Sequence, residues 1–175
     1  MRDPKIRSLR ELFPIRRALR KKGKTVVFTN GCFDLLHAGH VRLFRKAREK
    51  GDVLIVALNT DASIRRLKGP ARPVFPLRER LEVLAAFADV DYVTWFAEPT
   101  PRKIVAELQP DVLVKGGDWG ADRVVGRAEV EAAGGKVVIV PYLEGHSSSS
   151  LIDRIRAAAR AVQRKKRQPI PSATR

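Results

Sequence analysis

Five short runs constrain this chain more than anything else in it: Thr25–Thr29, Val53–Leu58, Tyr92–Trp95, Val112–Lys115 and Lys136–Val140. Each is apolar through most of its length, without the alternation of a strand that keeps one face in water. Helical spacing fills the intervals, near residues 40–49, 76–87, 100–108 and 126–133, and again over about 150–161. Strand and helix in turn predict βαβ units, and strands covered on both faces predict a parallel sheet. The expected architecture is α/β: a Rossmann-like, doubly wound, five-stranded parallel sheet with helices on both faces.

Ahead of the first run, residues 8–22 place Leu9, Leu12, Ile15 and Leu19 near one helical face. Pro14 is expected to kink or restart that helix, and Gly23 to end it. Three segments are therefore expected: a basic N-terminal helix over 1–24, a main domain over 25–162, and a polar, disordered tail over 163–175 containing Pro169 and Pro171. The net charge of +16 belongs mostly to the two ends. Residues 25–162 are close to balanced, which argues against a domain built around a broad basic face, so a nucleic-acid partner is not expected. The single cysteine, Cys32, excludes an internal disulfide framework and fits a reducing compartment. No apolar run reaches membrane-spanning length and no secretory signal is visible, so a cytoplasmic location is expected.

Ligands of doubly wound sheets collect beyond the carboxyl ends of the strands, where the strand order reverses. The unusual sequence follows the first run, as "TNGCFDLLHAGH" (29–40), and the fourth, as "KGGDWG" (115–120). These two strands are expected to be neighbours, so that both loops line one crevice. Gly31 allows close approach of the backbone to a bound group. His37 and His40 lie three residues apart at the mouth of a helix, where free N–H groups and the helix dipole attract anions. Imidazole donors there suit a phosphate whose charge grows during reaction. Metal ligation is the rival reading, but the familiar zinc-helix spacing of four residues with an intervening Glu is absent. The bland reading is two polar residues in a first turn. Cys32 reads as a small buried residue rather than a nucleophile.

Three further stretches carry charge or hydroxyls. In "RRLKGPARPVFPLRERLEVL" (65–84), Arg65, Arg66, Lys68 and Arg72 crowd an expected loop able to close over phosphates, and Arg80 is placed to fork onto one. A solvated basic loop is the alternative. In "KGGDWG", Gly116 and Gly117 permit close approach of a base or ribose, Asp118 can accept hydrogen bonds and Trp119 can stack; a β-turn with a surface Trp is the alternative. In "EGHSSSSLIDRI" (144–155), Ser150 and Asp153 form a capping box, yet four successive serines exceed what one cap requires and could grip a triphosphate.

With these residues in view, the chain resembles the nucleotidyltransferase superfamily marked by an H-x-G-H signature, here His37-Ala38-Gly39-His40. Within it the resemblance is to the D-glycero-β-D-manno-heptose 1-phosphate adenylyltransferases. In many bacteria these are the C-terminal domain of a bifunctional heptose kinase/adenylyltransferase. It runs from about Lys5 to Arg156. No kinase portion is present, so a stand-alone form is expected. The resemblance implies adenylyl transfer from ATP to the sugar 1-phosphate, with ADP-heptose and pyrophosphate as products, in lipopolysaccharide or related synthesis. It implies catalytic roles for His37, His40 and Lys68. Nucleotide would be held by Thr29, Asn30, Gly31, Cys32 and Phe33, by Lys115, Gly116, Gly117, Asp118 and Trp119, and by Ser147, Ser148, Ser149 and Ser150. Asp34, Arg72 and Arg80 would bind the acceptor. Mg²⁺ would arrive on the nucleotide phosphates, with no metal held by the protein, and a homodimer is expected by analogy. Tyr142 stands where related cytidylyltransferases carry an arginine, which weakens a CTP reading. The alternatives are a cytidylyltransferase acting on glycerol 3-phosphate or another phosphorylated acceptor, and a nucleic-acid-binding protein using its basic ends.

Overall fold

Val26, Val27 and Phe28 are consecutive and all three have 0% exposure. Successive strand residues point to opposite faces, so burying all three requires cover on both sides of the sheet. The computed structural model, which describes residues 3–117, 120, 123–141, 145 and 148–167, supplies that cover. Strands β1 (Val26–Gly31), β2 (Val53–Asn59), β3 (Tyr92–Phe96), β4 (Val112–Gly116) and β5 (Lys136–Val140) form one sheet in the order β3-β2-β1-β4-β5. All pairings are parallel. The expected fold is the one found, and strand ends fall within two residues of those read from the sequence.

The helices are α1 (Leu9–Lys21), α2 (Ala38–Arg48), α3 (Asp61–Lys68), α4 (Leu77–Ala85), α5 (Arg102–Leu108), α6 (Arg127–Ala132) and α7 (Ser148–Arg167). One face of the sheet buries Val27, Leu54 and Val56 with Phe44 of α2 and Leu84 of α4. The other buries Val26, Phe28, Ile55 and Leu113 with Leu12 of α1, Ile104 and Leu108 of α5 and Val130 of α6. Each fully buried leucine contributes about 1.5–3 kcal/mol.

Helix α1 opens on a reciprocal cap. Ser8 Oγ accepts from the Glu11 N–H at 3.3 Å, and Glu11 Oε2 accepts from the Ser8 N–H at 2.6 Å. The helix continues through Pro14 without a break. Pro14 is exposed and removes one helical hydrogen bond, while Leu12 and Arg16 on the opposite side stay buried against the domain. Just before the helix, Ile6 pairs with Val93 at the edge of β3: the Arg7 N–H donates to Val93 O and the Val93 N–H to Lys5 O, both at 2.9 Å.

Two helices differ from expectation. Arg65, Arg66 and Lys68 lie on helix α3, not in a loop; the loop is confined to residues 69–76. Thr60 caps α3 by accepting from the Ser63 N–H, Asp61 sits in its first turn, and the three cations sit in its last, where they suit the helix dipole. Helix α7 runs to Arg167 rather than to about 161. Arginine and lysine are good helix formers, and the first breaker downstream is Pro169.

Candidate active site

The strand order reverses between β1 and β4, and Thr29 pairs with Val114 there. Asn30 and Gly31 therefore emerge beside Lys115 and Gly116. A cleft of about 490 Å³ lies over these strand ends, lined by residues 30–33, His40, Lys68, Lys115, Gly116, Arg123 and Ser148. At its floor Lys115 Nζ donates to Asn30 Oδ1 at 2.6 Å. Burial pushes the Lys115 ammonium down to about 8, although the neighbouring Cys32 works the other way.

The β1–α2 turn is shaped by Phe33, which adopts φ 44° without being glycine. Such a left-handed residue costs about 1–2 kcal/mol, and here it tucks the Phe33 ring beneath the site. A side chain at Gly31 would meet that ring at 3.1 Å, which explains the glycine. The ring then stands edge-on to His40, with centroids 5.3 Å apart.

His37 caps α2 in extended conformation and His40 follows in its first turn. The His37 N–H donates to His40 Nδ1 at 3.3 Å, so the proton of neutral His40 resides on Nε2, the remaining donor. The two rings lie 3.9 Å apart. Burial, then the charges of His37 and Lys68, lower the His40 pKa to about 4. His40 is thus a neutral imidazole at pH 7. Its own N–H donates to His37 O at 2.9 Å, and it stands beside the Ala38 and Gly39 N–H groups, which come too early in α2 for an intrahelical acceptor.

Two residues assigned to the acceptor turn inward instead. Arg80 is 2% exposed, and four of its five N–H donors are taken by the protein: Nε donates to Phe75 O (3.0 Å), NH1 to Cys32 O (2.6 Å), and NH2 to Asn59 O (3.0 Å) and Asp61 Oδ1 (2.6 Å). It cannot also fork onto a phosphate. Asp34 is 3% exposed and accepts from the Val74 and Phe75 N–H groups and from Arg72 Nε at 2.6 Å. Burial alone would raise its pKa, but those N–H groups and Arg72 outweigh it and hold Asp34 below the ordinary carboxylate value. Together the pair rivets the 69–76 loop to the β1–α2 turn. Arg72 serves the same clamp through Nε, while its NH2 has no acceptor among the described residues.

Of the remaining expected residues, Thr29 is fully buried inside the sheet and does not line the cleft. Gly117 turns the chain out of β4 with φ 138°, its N–H donating to Val140 O. Ser148 opens α7, lines the cleft and donates through Oγ to Leu35 O at 3.0 Å. Ser150 lies within the first turn of α7. Asp118, Trp119 and Ser147, with Tyr142, lie outside the described residues, as does the Ser149 side chain. Sequence reasoning missed Arg123 and the Pro99–Pro101 wall, which also line the cleft. Neither sits in a recognisable motif, and only the sheet order brings them in. Among the described residues, no three His, Cys, Asp or Glu side chains are placed to hold a metal ion, and no helix is long and apolar enough to cross a membrane.

The parallel sheet, the switch-point cleft and the histidine pair at a helix mouth define a nucleotide-transferring class of α/β protein, and the chain belongs to the cytidylyltransferase-like family, whose profile matches residues 28–170. It is 51% identical over 153 residues to the bifunctional protein HldE of Syntrophotalea carbinolica, covering 87% of this chain and 31% of that protein. The HldE of Ectopseudomonas mendocina is 52% identical over 137 residues, covering 78% of this chain and 29% of its own. The chain thus spans less than a third of these relatives. Among solved structures, the lipopolysaccharide core biosynthesis protein from Thermoplasma volcanium aligns with a TM-score of 0.58 at 29% identity, over 71% of this chain and 100% of that one. Pantoate-β-alanine ligase from Francisella tularensis, at 17% identity and TM-score 0.56 over 97% and 81% of the two chains, shares the fold alone.

Proposed function

We propose that the chain transfers an adenylyl group from ATP to D-glycero-β-D-manno-heptose 1-phosphate, giving ADP-heptose and pyrophosphate. The observation that carries this reading is the convergence of His40, Lys68 and Lys115 on one cleft at the β1/β4 switch point. A phosphate oxygen of the acceptor attacks the α-phosphorus, forming one P–O bond as the bond to the β-phosphate oxygen breaks. The acceptor is already an anion, so no strong base is needed; positioning and charge stabilisation suffice. His40 Nε2–H and His37 meet the charge that grows on the α-phosphate. Lys68, at the end of α3, and Ser148, at the start of α7, flank the departing phosphates. Lys115, held by Asn30, lies where the nucleoside or α-phosphate enters.

The donor set of the cleft is cationic or neutral, with no carboxylate among its described lining residues. It fits phosphates rather than a bare divalent ion. Mg²⁺ is accordingly proposed as a companion of the nucleotide, neutralising its phosphates.

A second reading, cytidylyl transfer to glycerol 3-phosphate, is favoured by the family's description. Pyrophosphate release measured with ATP, CTP, GTP and UTP against heptose 1-phosphate and glycerol 3-phosphate separates the two. The proposal expects turnover with ATP and heptose 1-phosphate above every other pair. Turnover only with CTP and glycerol 3-phosphate would overturn it.

A further inference from the structure

We propose that the cleft between α1 and α5 is a second anion site, which takes a small phosphate-bearing molecule. This cleft, of about 370 Å³, is floored by Arg16 and walled by Phe13, Arg17, Arg20, Leu108 and Gln109. Its size lies within the range of about 300–1,000 Å³ typical of small-molecule sites. It lies at the opposite end of the sheet from the first cleft and shares no lining residue with it. Leu108 and Gln109 precede β4, whereas Lys115 and Gly116 close it.

The argument turns on Arg16, a buried arginine at 5% exposure. Its Nε donates to the carbonyls of Leu108 and Gln109, and NH2 donates to Gln109 O at 2.7 Å and to Asp111 Oδ1 at 2.8 Å. Its NH1 is buried and has no acceptor among the described residues. A charged donor withdrawn from water without a partner is costly, so the arrangement calls for an acceptor that the protein does not provide. Arg17 and Arg20 are exposed beside it, Arg20 reaching Gln109 Oε1 at 3.3 Å. Glu107 is the one acid in the lining, which leaves a net charge of +2. The carbonyl end of α1 lies toward Arg20, so arginine forks, not a helix dipole, would hold the ligand. Guanidinium forks match the paired oxygens of a phosphate, and the Phe13 ring offers a surface for a flat substituent. The adenylyl transfer proposed above uses the other cleft and leaves this one unoccupied by any of its substrates.

The test is a ¹⁵N NMR titration of the full chain with inorganic phosphate, ionic strength being held with chloride. The amide signals of Arg17, Arg20, Leu108 and Gln109 are expected to move and saturate. They should do so equally in Lys68→Ala, whose substitution lies in the other cleft. In Arg17→Ala/Arg20→Ala, two exposed positions, at least about tenfold more phosphate should be needed. Parallel titrations with pyrophosphate and AMP tell a bare phosphate from a nucleotide, and tighter saturation by either supports the site. Signals that drift without saturating, that follow chloride equally, or that saturate identically in the double variant would overturn it. So would a response confined to residues 30–40.

Discussion

Arg80, buried, and Lys115, half-buried, are cations beside the same turn, yet they are treated in opposite ways. Arg80 spends every nitrogen on the protein: three carbonyls and the Asp61 carboxylate surround it. Among the described residues Lys115 has only Asn30 as a hydrogen-bond partner, and its charge is disfavoured enough to bring its pKa to about 8. A cation bonded through every nitrogen holds loops in place; an under-coordinated one keeps donors for something that arrives later. His40 belongs with Lys115, since one nitrogen is fixed by the His37 N–H and the other is left as a donor.

Four experiments probe that division, beginning with the largest effect. Arg80→Ala should destabilise the fold by about 3–5 kcal/mol, because it strands Asp61 and buried carbonyls. Arg80→Lys should recover only part, since an ammonium cannot span four acceptors. Denaturant unfolding measures both, and a near-neutral Arg80→Ala would erase the contrast. His40→Ala should lower turnover about 10²–10³-fold, the scale for losing one transition-state donor, while unfolding stays near wild type. Steady-state kinetics beside melting curves would show whether the loss is catalytic or structural.

The third experiment is a pH dependence. The unfolded chain protonates His40 near 6.5, whereas the native state resists until about 4. The unfolded state therefore binds more protons in this window, and stability falls as pH drops from about 6.5 toward 4. The slope reaches about 1.4 kcal/mol per pH unit below pH 6.5, so about 1.5 kcal/mol should go between pH 6.5 and 5. His40→Asn should flatten that part of the unfolding profile; an equally steep slope would place the proton uptake elsewhere. The smallest effect is expected at Lys68, where Ala should weaken nucleotide binding about tenfold, the loss of one charge-assisted contact. Lys165→Ala should change nothing. Equal effects in a binding titration would show that general positive charge, not a shaped cleft, attracts the nucleotide.

The sheet was legible because its evidence is repeated along the chain: each strand is apolar through most of its length, and such strands call for cover on both faces. The neighbouring β1 and β4 loops followed from that topology. Helix α3 was not legible, because Arg65, Arg66 and Lys68 dominate its end and look like a solvated loop. The usable signal was the Thr60–Ser63 cap before Ile64. Arg80 and Asp34 were misread for a different reason. An arginine near phosphate-binding motifs looks like a phosphate ligand unless its partners are known, and here those partners are mostly main-chain carbonyls, which carry no sequence signature. Arg16 went unnoticed within a basic segment, although it is the residue that anchors α1 to Asp111.

The pairing of Ile6 with Val93 has a consequence for self-association. β3 is an outer strand, and its sequence, Tyr-Val-Thr-Trp-Phe, is aromatic, β-branched and uncharged. Left bare, such an edge is a template for another copy of itself. Residues 5–7 cover part of it and place Lys5 and Arg7 alongside, two charges that disfavour stacking of a second chain. Along that stretch the N-terminal segment takes the Val93 N–H and carbonyl that a neighbouring strand would otherwise bond.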